Sequence, residues 1–136
     1  MKIIKVFLIT TLITNSNILI SEDWEITAFN EDMFNYVDLE SVRFVDDHIY
    51  FWRLSDYTTL QESPDPDVPG GYNSLAMYIK ADCKIFREAT LTIHLFSENM
   101  GASSPIAIYN PTEKWQYPRL PGMYGITLDY VCKNLQ

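Results

Sequence analysis

Two histidines, His48 and His94, and two cysteines, Cys83 and Cys132, are all the sequence holds of the side chains on which most nucleophilic and metal chemistry rests. No HExxH, GxSxG, P-loop or GxGxxG pattern occurs, so zinc hydrolysis, triad acyl transfer and nucleotide chemistry lack their usual parts. Positive charge is scarce as well: ten Lys and Arg stand against eighteen Asp and Glu, a net charge of −8. So acidic a chain disfavours nucleic acid and anionic membranes, which are held by neutralising phosphate with Lys and Arg. A membrane-length apolar run is missing too. The longest candidate, Val6 to Ile20, is interrupted by Thr10, Thr11, Thr14, Asn15, Ser16 and Asn17, whereas a span needs about 20 apolar residues. The expectation is a protein that is not an enzyme, carries no cofactor or metal, and has no permanent membrane span.

What the N-terminus does have is Met1, Lys2 and Lys5 followed at once by that apolar stretch, the layout of a secretory signal peptide. The competing reading is an N-terminal core strand or helix. Cleavage after Ser21 would divide the chain into a leader, 1–21, and one domain, 22–136. It would also remove Lys2 and Lys5, leaving eight positive charges against eighteen negative. Export places the protein in the periplasm or at the cell surface. With no cysteine at the end of the leader, a lipid anchor there is not expected.

In an oxidising compartment two cysteines in a small domain read as one bridge, Cys83 to Cys132, closing a loop of 49 residues. The chain-entropy estimate for that length is roughly 4 kcal/mol. A reactive or metal-binding thiol pair is the alternative, without CxxC spacing or a nearby histidine to support it.

Alternation dominates the rest. Trp24, Ile26 and Ala28 alternate with polar residues; Phe34 to Asp38 and Arg43 to Val45 are short strands joined by a corner at Leu39-Glu40-Ser41. Asp46-Asp47 reads as a hairpin turn into His48 to Tyr57, a strand with bulky residues on both faces and so a central one. Three prolines and two glycines make 63–71 an exposed loop. From Ser74 to Asp82, Leu75, Met77, Ile79 and Ala81 share one face. From Ile85 to Phe96, Ala89, Leu91, Ile93 and Leu95 share one face, with Glu88, Thr90, Thr92 and His94 on the other. Residues 99–122, with Gly101, Pro105, Pro111, Pro118 and Pro121, read as loop. The period then changes: Tyr124, Leu128, Val131, Cys132 and Leu135 fall at helical spacing, with Asp129 and Lys133 an outer i,i+4 pair. These patterns predict an α+β domain in which a C-terminal helix covers one face of an antiparallel sheet.

Tyr36-Val37-Asp38 with Ser41, then Trp52, Asp56-Tyr57, Ser74, Asp82-Cys83, Met100-Gly101, Trp115, Pro121-Gly122 and Val131-Cys132 stand in an order that resembles the surface-adhesin protein E-like family. The resemblance spans Trp24 to Cys132. It implies a twisted antiparallel sheet of about six strands on a C-terminal helix, and adhesion to host matrix and serum proteins. If the chain inherits adhesion, its densest basic cluster, Lys80, Lys84 and Arg87 around Cys83, is the expected contact; the plainer reading is a solvated strand end.

Other candidates are weaker. Asp46, Asp47 and His48, or Asp65 with Asp67, could offer metal ligands but read more simply as polar turns. Asp38 with Asp56 could do acid–base work only if the fold joined them. Aromatics are the better lead: Tyr50, Phe51 and Trp52 on one strand, Trp115 and Tyr117 in a proline-rich loop. A sheet covered by one helix leaves a wet face on which such side chains would suit a protein partner, a homodimer or a flat apolar ligand. The functional expectation is a non-catalytic, adhesin-like protein-binding module. The alternative is a periplasmic structural or envelope-assembly protein with no diffusible ligand.

Overall fold

The computed structural model describes residues 23–135, so the expected leader, 1–21, lies outside the described residues. Seven strands form one antiparallel sheet: β1 (Trp24–Phe29), β2 (Met33–Asp38), β3 (Arg43–Val45), β4 (His48–Gln61), β5 (Tyr72–Asp82), β6 (Arg87–Phe96) and β7 (Ala107–Tyr109). The helix α1 (Met123–Asn134) follows them. Strand order is β1-β2-β4-β5-β6-β7. Strands β2 and β3 share one edge of β4, pairing with residues 53–57 and 48–50, and a 3-10 turn at Leu39–Ser41 joins them. Asp38 caps that turn by accepting from the Glu40 amide, and Ser41 Oγ donates to the Asp38 carbonyl while accepting from the Trp52 amide. The corner is thereby tied to the central strand.

Bulky residues on both faces of β4 do make it central. Phe51 is fully buried under the helix while its neighbours Tyr50 and Trp52 point the other way. Beneath α1, Leu128 and Val131 are fully buried against Val37, Ile49, Phe51, Met77, Ile79 and Ala81. Thr127 Oγ1 lies 2.9 Å from Thr27 Oγ1, giving the helix a polar contact with β1. Cys83 and Cys132 form a disulfide, with Cα atoms 5.6 Å apart, that ties α1 to the end of β5.

Two expectations need correction. The segment 99–122 is not loop throughout: β7 adds an edge strand beside residues 93–95 of β6, and Gln116 makes a further bridge to Glu88. Three residues are too few for alternation to be visible in a sequence. The second correction concerns β6. Tyr78 opposes Thr92 but Ile79 opposes Thr90, so Leu91 is an extra residue, a β-bulge, and the side-chain phase reverses across it. Ile93 and Leu95 face the helix side as expected. On the other side of the bulge, however, it is Glu88 and Thr90 that turn inward, and Ala89 that shares the open face with Lys80.

Candidate binding site

The face of the sheet opposite α1 is floored by alternate residues of three neighbouring strands. Strand β4 contributes Tyr50, Trp52 and Leu54; β5 contributes Ala76, Tyr78 and Lys80; β6 contributes Thr92, His94 and Phe96. Directly opposed residues in antiparallel strands lie about 5 Å apart, which brings large rings into contact. The rings form a band: Tyr50–Tyr78 centroids are 6.2 Å apart, Trp52–Tyr78 5.2 Å, Trp52–His94 4.9 Å and His94–Phe96 6.2 Å. Tyr50, Trp52, Tyr78 and His94 are each half-buried. Burial holds the His94 imidazole below its ordinary pKa, favouring the neutral ring. At one end of the band, Trp52, Leu54, His94 and Phe96 floor a groove of about 370 Å³ walled by Trp24 and Pro105.

At the other end, Trp115 folds back onto the sheet. Its ring lies 5.6 Å from that of His48, 4.1 Å below the Arg87 guanidinium and 5.2 Å from Lys80 Nζ. Each cation also has a carboxylate: Lys80 with Glu113 at 2.8 Å and Arg87 with Asp82 at 3.0 Å. The Glu113 hydrogen bond, against the opposing pull of burial, raises the Lys80 pKa. Burial pushes the Asp82 carboxyl up, but hydrogen bonds from the Ile85 and Lys84 amides and the Arg87 guanidinium outweigh it and hold it below the usual range.

The residues singled out in sequence are thus brought together only in part. Lys80, Arg87 and Trp115 meet in one charge-paired cluster. Lys84 stands apart, exposed, 3.3 Å from the equally exposed Asp47. Tyr117, 61% exposed, sets its phenol beside the Arg87 guanidinium at the edge of that charge-paired cluster and also borders a cavity on the helix side. Tyr78 and His94, the middle of the aromatic band, were not anticipated; Tyr78's alternation with Lys80 was the available signal. Among the described residues no cluster of three or more His, Cys, Asp or Glu could hold a metal ion. Asp38 and Asp56 each serve a turn, Asp56 Oδ1 accepting from the Met100 amide at 2.8 Å and from Asn99 Nδ2 at 2.9 Å. No helix among the described residues is long and apolar enough to cross a membrane.

Comparison with known proteins decides the lineage. The profile of the surface-adhesin protein E family matches residues 24–133, nearly the whole described domain. The chain belongs to the surface-adhesin protein E family. Its fold is also that of solved members. Crystal form II of Haemophilus influenzae protein E superposes with a TM-score of 0.56 at 12% identity, over 79% of this chain and 92% of that one. A second structure of Haemophilus influenzae protein E gives 0.54 at 12% identity, over 83% and 92%. Protein E from non-typeable Haemophilus influenzae gives 0.52 at 13% identity, over 80% and 76%. No curated protein matches the sequence. At such identities the likeness is one of fold, and this surface-adhesin protein E domain holds the shared sheet and helix.

Proposed function

We propose that the protein is an exported, non-catalytic adhesin-like module that holds a protein partner against the open face of its sheet. One observation carries this reading: the helix covers a single face, and the uncovered one presents a continuous, half-buried aromatic band. Tyrosine and tryptophan offer large, rigid contact area at little entropic cost and are over-represented among residues that dominate binding energy. Family membership supports adhesion as the use of that surface. The charge-paired cluster of Lys80, Arg87 and Trp115 lies at the rim of the band, where it sets orientation and salt dependence more than affinity. Tyr117, beside Arg87, belongs to that rim, whereas Lys84 lies outside this contact.

Binding of the oxidised protein to immobilised extracellular-matrix proteins, measured by biolayer interferometry, tests the reading. Replacing Tyr50 and Tyr78 together with Ser is expected to weaken binding at least about tenfold, the scale of a central interface anchor. Lys84→Ser is expected to leave it unchanged. Equal binding by the double variant, with its circular dichroism intact, would remove the aromatic face from the contact.

A further inference from the structure

On the helix side, a cavity of about 540 Å³ opens between the sheet and the segment that leads into α1. Two features of it point the same way. First, its wall contains Arg53, 1% exposed, whose hydrogen-bonding capacity is only partly used. Both oxygens of Glu88 engage Nη1, at 3.0 and 2.8 Å. The Tyr124 ring covers one face of the guanidinium at 4.0 Å, but for hydrogen bonding Nη2 has only the Met77 thioether at 3.8 Å, and Nε has no hydrogen-bond partner among the described residues. A thioether is a weak acceptor, and a guanidinium carries five donors. Second, the same cavity is lined by the first turn of α1, Gly122 to Gly125, and glycine at the N-cap position leaves that end without a side-chain cap. Uncapped first-turn amides and the helix dipole favour an anion.

Arg119 adds an exposed cation at the rim. The chain is held close there because Gly125 packs directly against the Arg119 carbonyl, where a Cβ would collide. The charges of the wall, Arg53 and Arg119 against Glu88, sum to one positive. That matches a monoanion better than a doubly charged phosphate. Met77, Tyr117, Pro118 and Met123 supply an apolar lining beside it, and the volume lies within the usual range for ligand pockets, about 300–1,000 Å³.

We propose that this cavity is a carboxylate-binding site that takes the free C-terminus of a peptide ending in an apolar residue, its carboxylate set between Arg119, the first turn of α1 and the Arg53 side of the wall. Such capture of a chain terminus by backbone amides is a recurrent mode of peptide recognition. The site is on the opposite side of the sheet from the aromatic band and does not depend on it.

The test is a titration of the ¹⁵N-labelled oxidised protein with N-acetyl-Ala-Leu, its C-terminal amide and inorganic phosphate. Saturable shifts are expected at the Met123–Gly125 amides and the Arg53 Nε–H with the free acid. Amidation, or Arg119→Gln at an exposed position, is expected to weaken binding about tenfold, the loss of one charge-assisted hydrogen-bond set. Affinity indifferent to both changes, or shifts confined to other residues, would overturn the site. Phosphate binding more tightly than the carboxylate would overturn the assignment of a monoanion.

Discussion

Removing the Glu88 carboxylate while keeping Arg53 would strand a guanidinium that is 1% exposed and already lacks a partner for Nε. Breaking a buried pair from one side costs about 3–5 kcal/mol, whereas replacing both members by apolar residues of similar size is often neutral. Glu88→Ala is therefore expected to lower the chemical-denaturation free energy by about that amount, and Arg53→Met with Glu88→Leu to recover most of it. Strand alternation alone pointed Glu88 at solvent; only the bulge at Leu91 explains its burial. His94 gives a second prediction. Its pKa is lowered by burial, so the unfolded chain takes up the proton first as pH falls. The stability from its neutral form is complete above the ordinary value of about 6.5 and declines below it. The melting midpoint should drop between pH 7 and 5.5, and His94→Gln should shrink that drop; an identical drop in the variant would show that His94 contributes nothing to it.

The contact between α1 and the sheet combines two fully buried aliphatics, the buried hydroxyl of Thr127 and one disulfide. Cys132→Ala opens a 49-residue loop, and losing a bridge of this kind costs about 2–5 kcal/mol. A correspondingly lower denaturation midpoint in non-reducing buffer is expected; an unchanged midpoint would show the bridge to be energetically idle. The helix, the bridge and the central position of β4 were all legible in the sequence, because helical spacing, cysteine count and aromatic enrichment are local signals. The short β7 and the phase of β6 were not. An edge strand of three residues has no period, and a bulge exists only relative to the neighbouring strand that it slips against. In sequence Trp115 reads only as a loop aromatic beside Tyr117, because its partners His48, Lys80 and Arg87 come from three separate strands.

For the whole molecule, export is the outstanding expectation. Protein recovered from its native envelope should have lost roughly its first twenty residues and be two hydrogens lighter than the reduced form; intact mass with and without reductant checks both. Free thiols on a full-length chain would contradict it. Both proposed contacts, the aromatic band and the helix-side cavity, draw on β6: His94 and Phe96 from one stretch, Glu88 and Thr90 from the other. A regular strand could not do this, because residues 88, 90, 94 and 96 would all point the same way. Leu91 acts as a half-step in the strand's rhythm. Were Leu91 drawn into the ladder opposite Ile79, everything before it would slip by one residue, and Ala89 would stand opposite Ala81 where Glu88 now lies. One unpaired residue thus separates a sheet with two chemically different sides from one whose buried arginine faces an alanine.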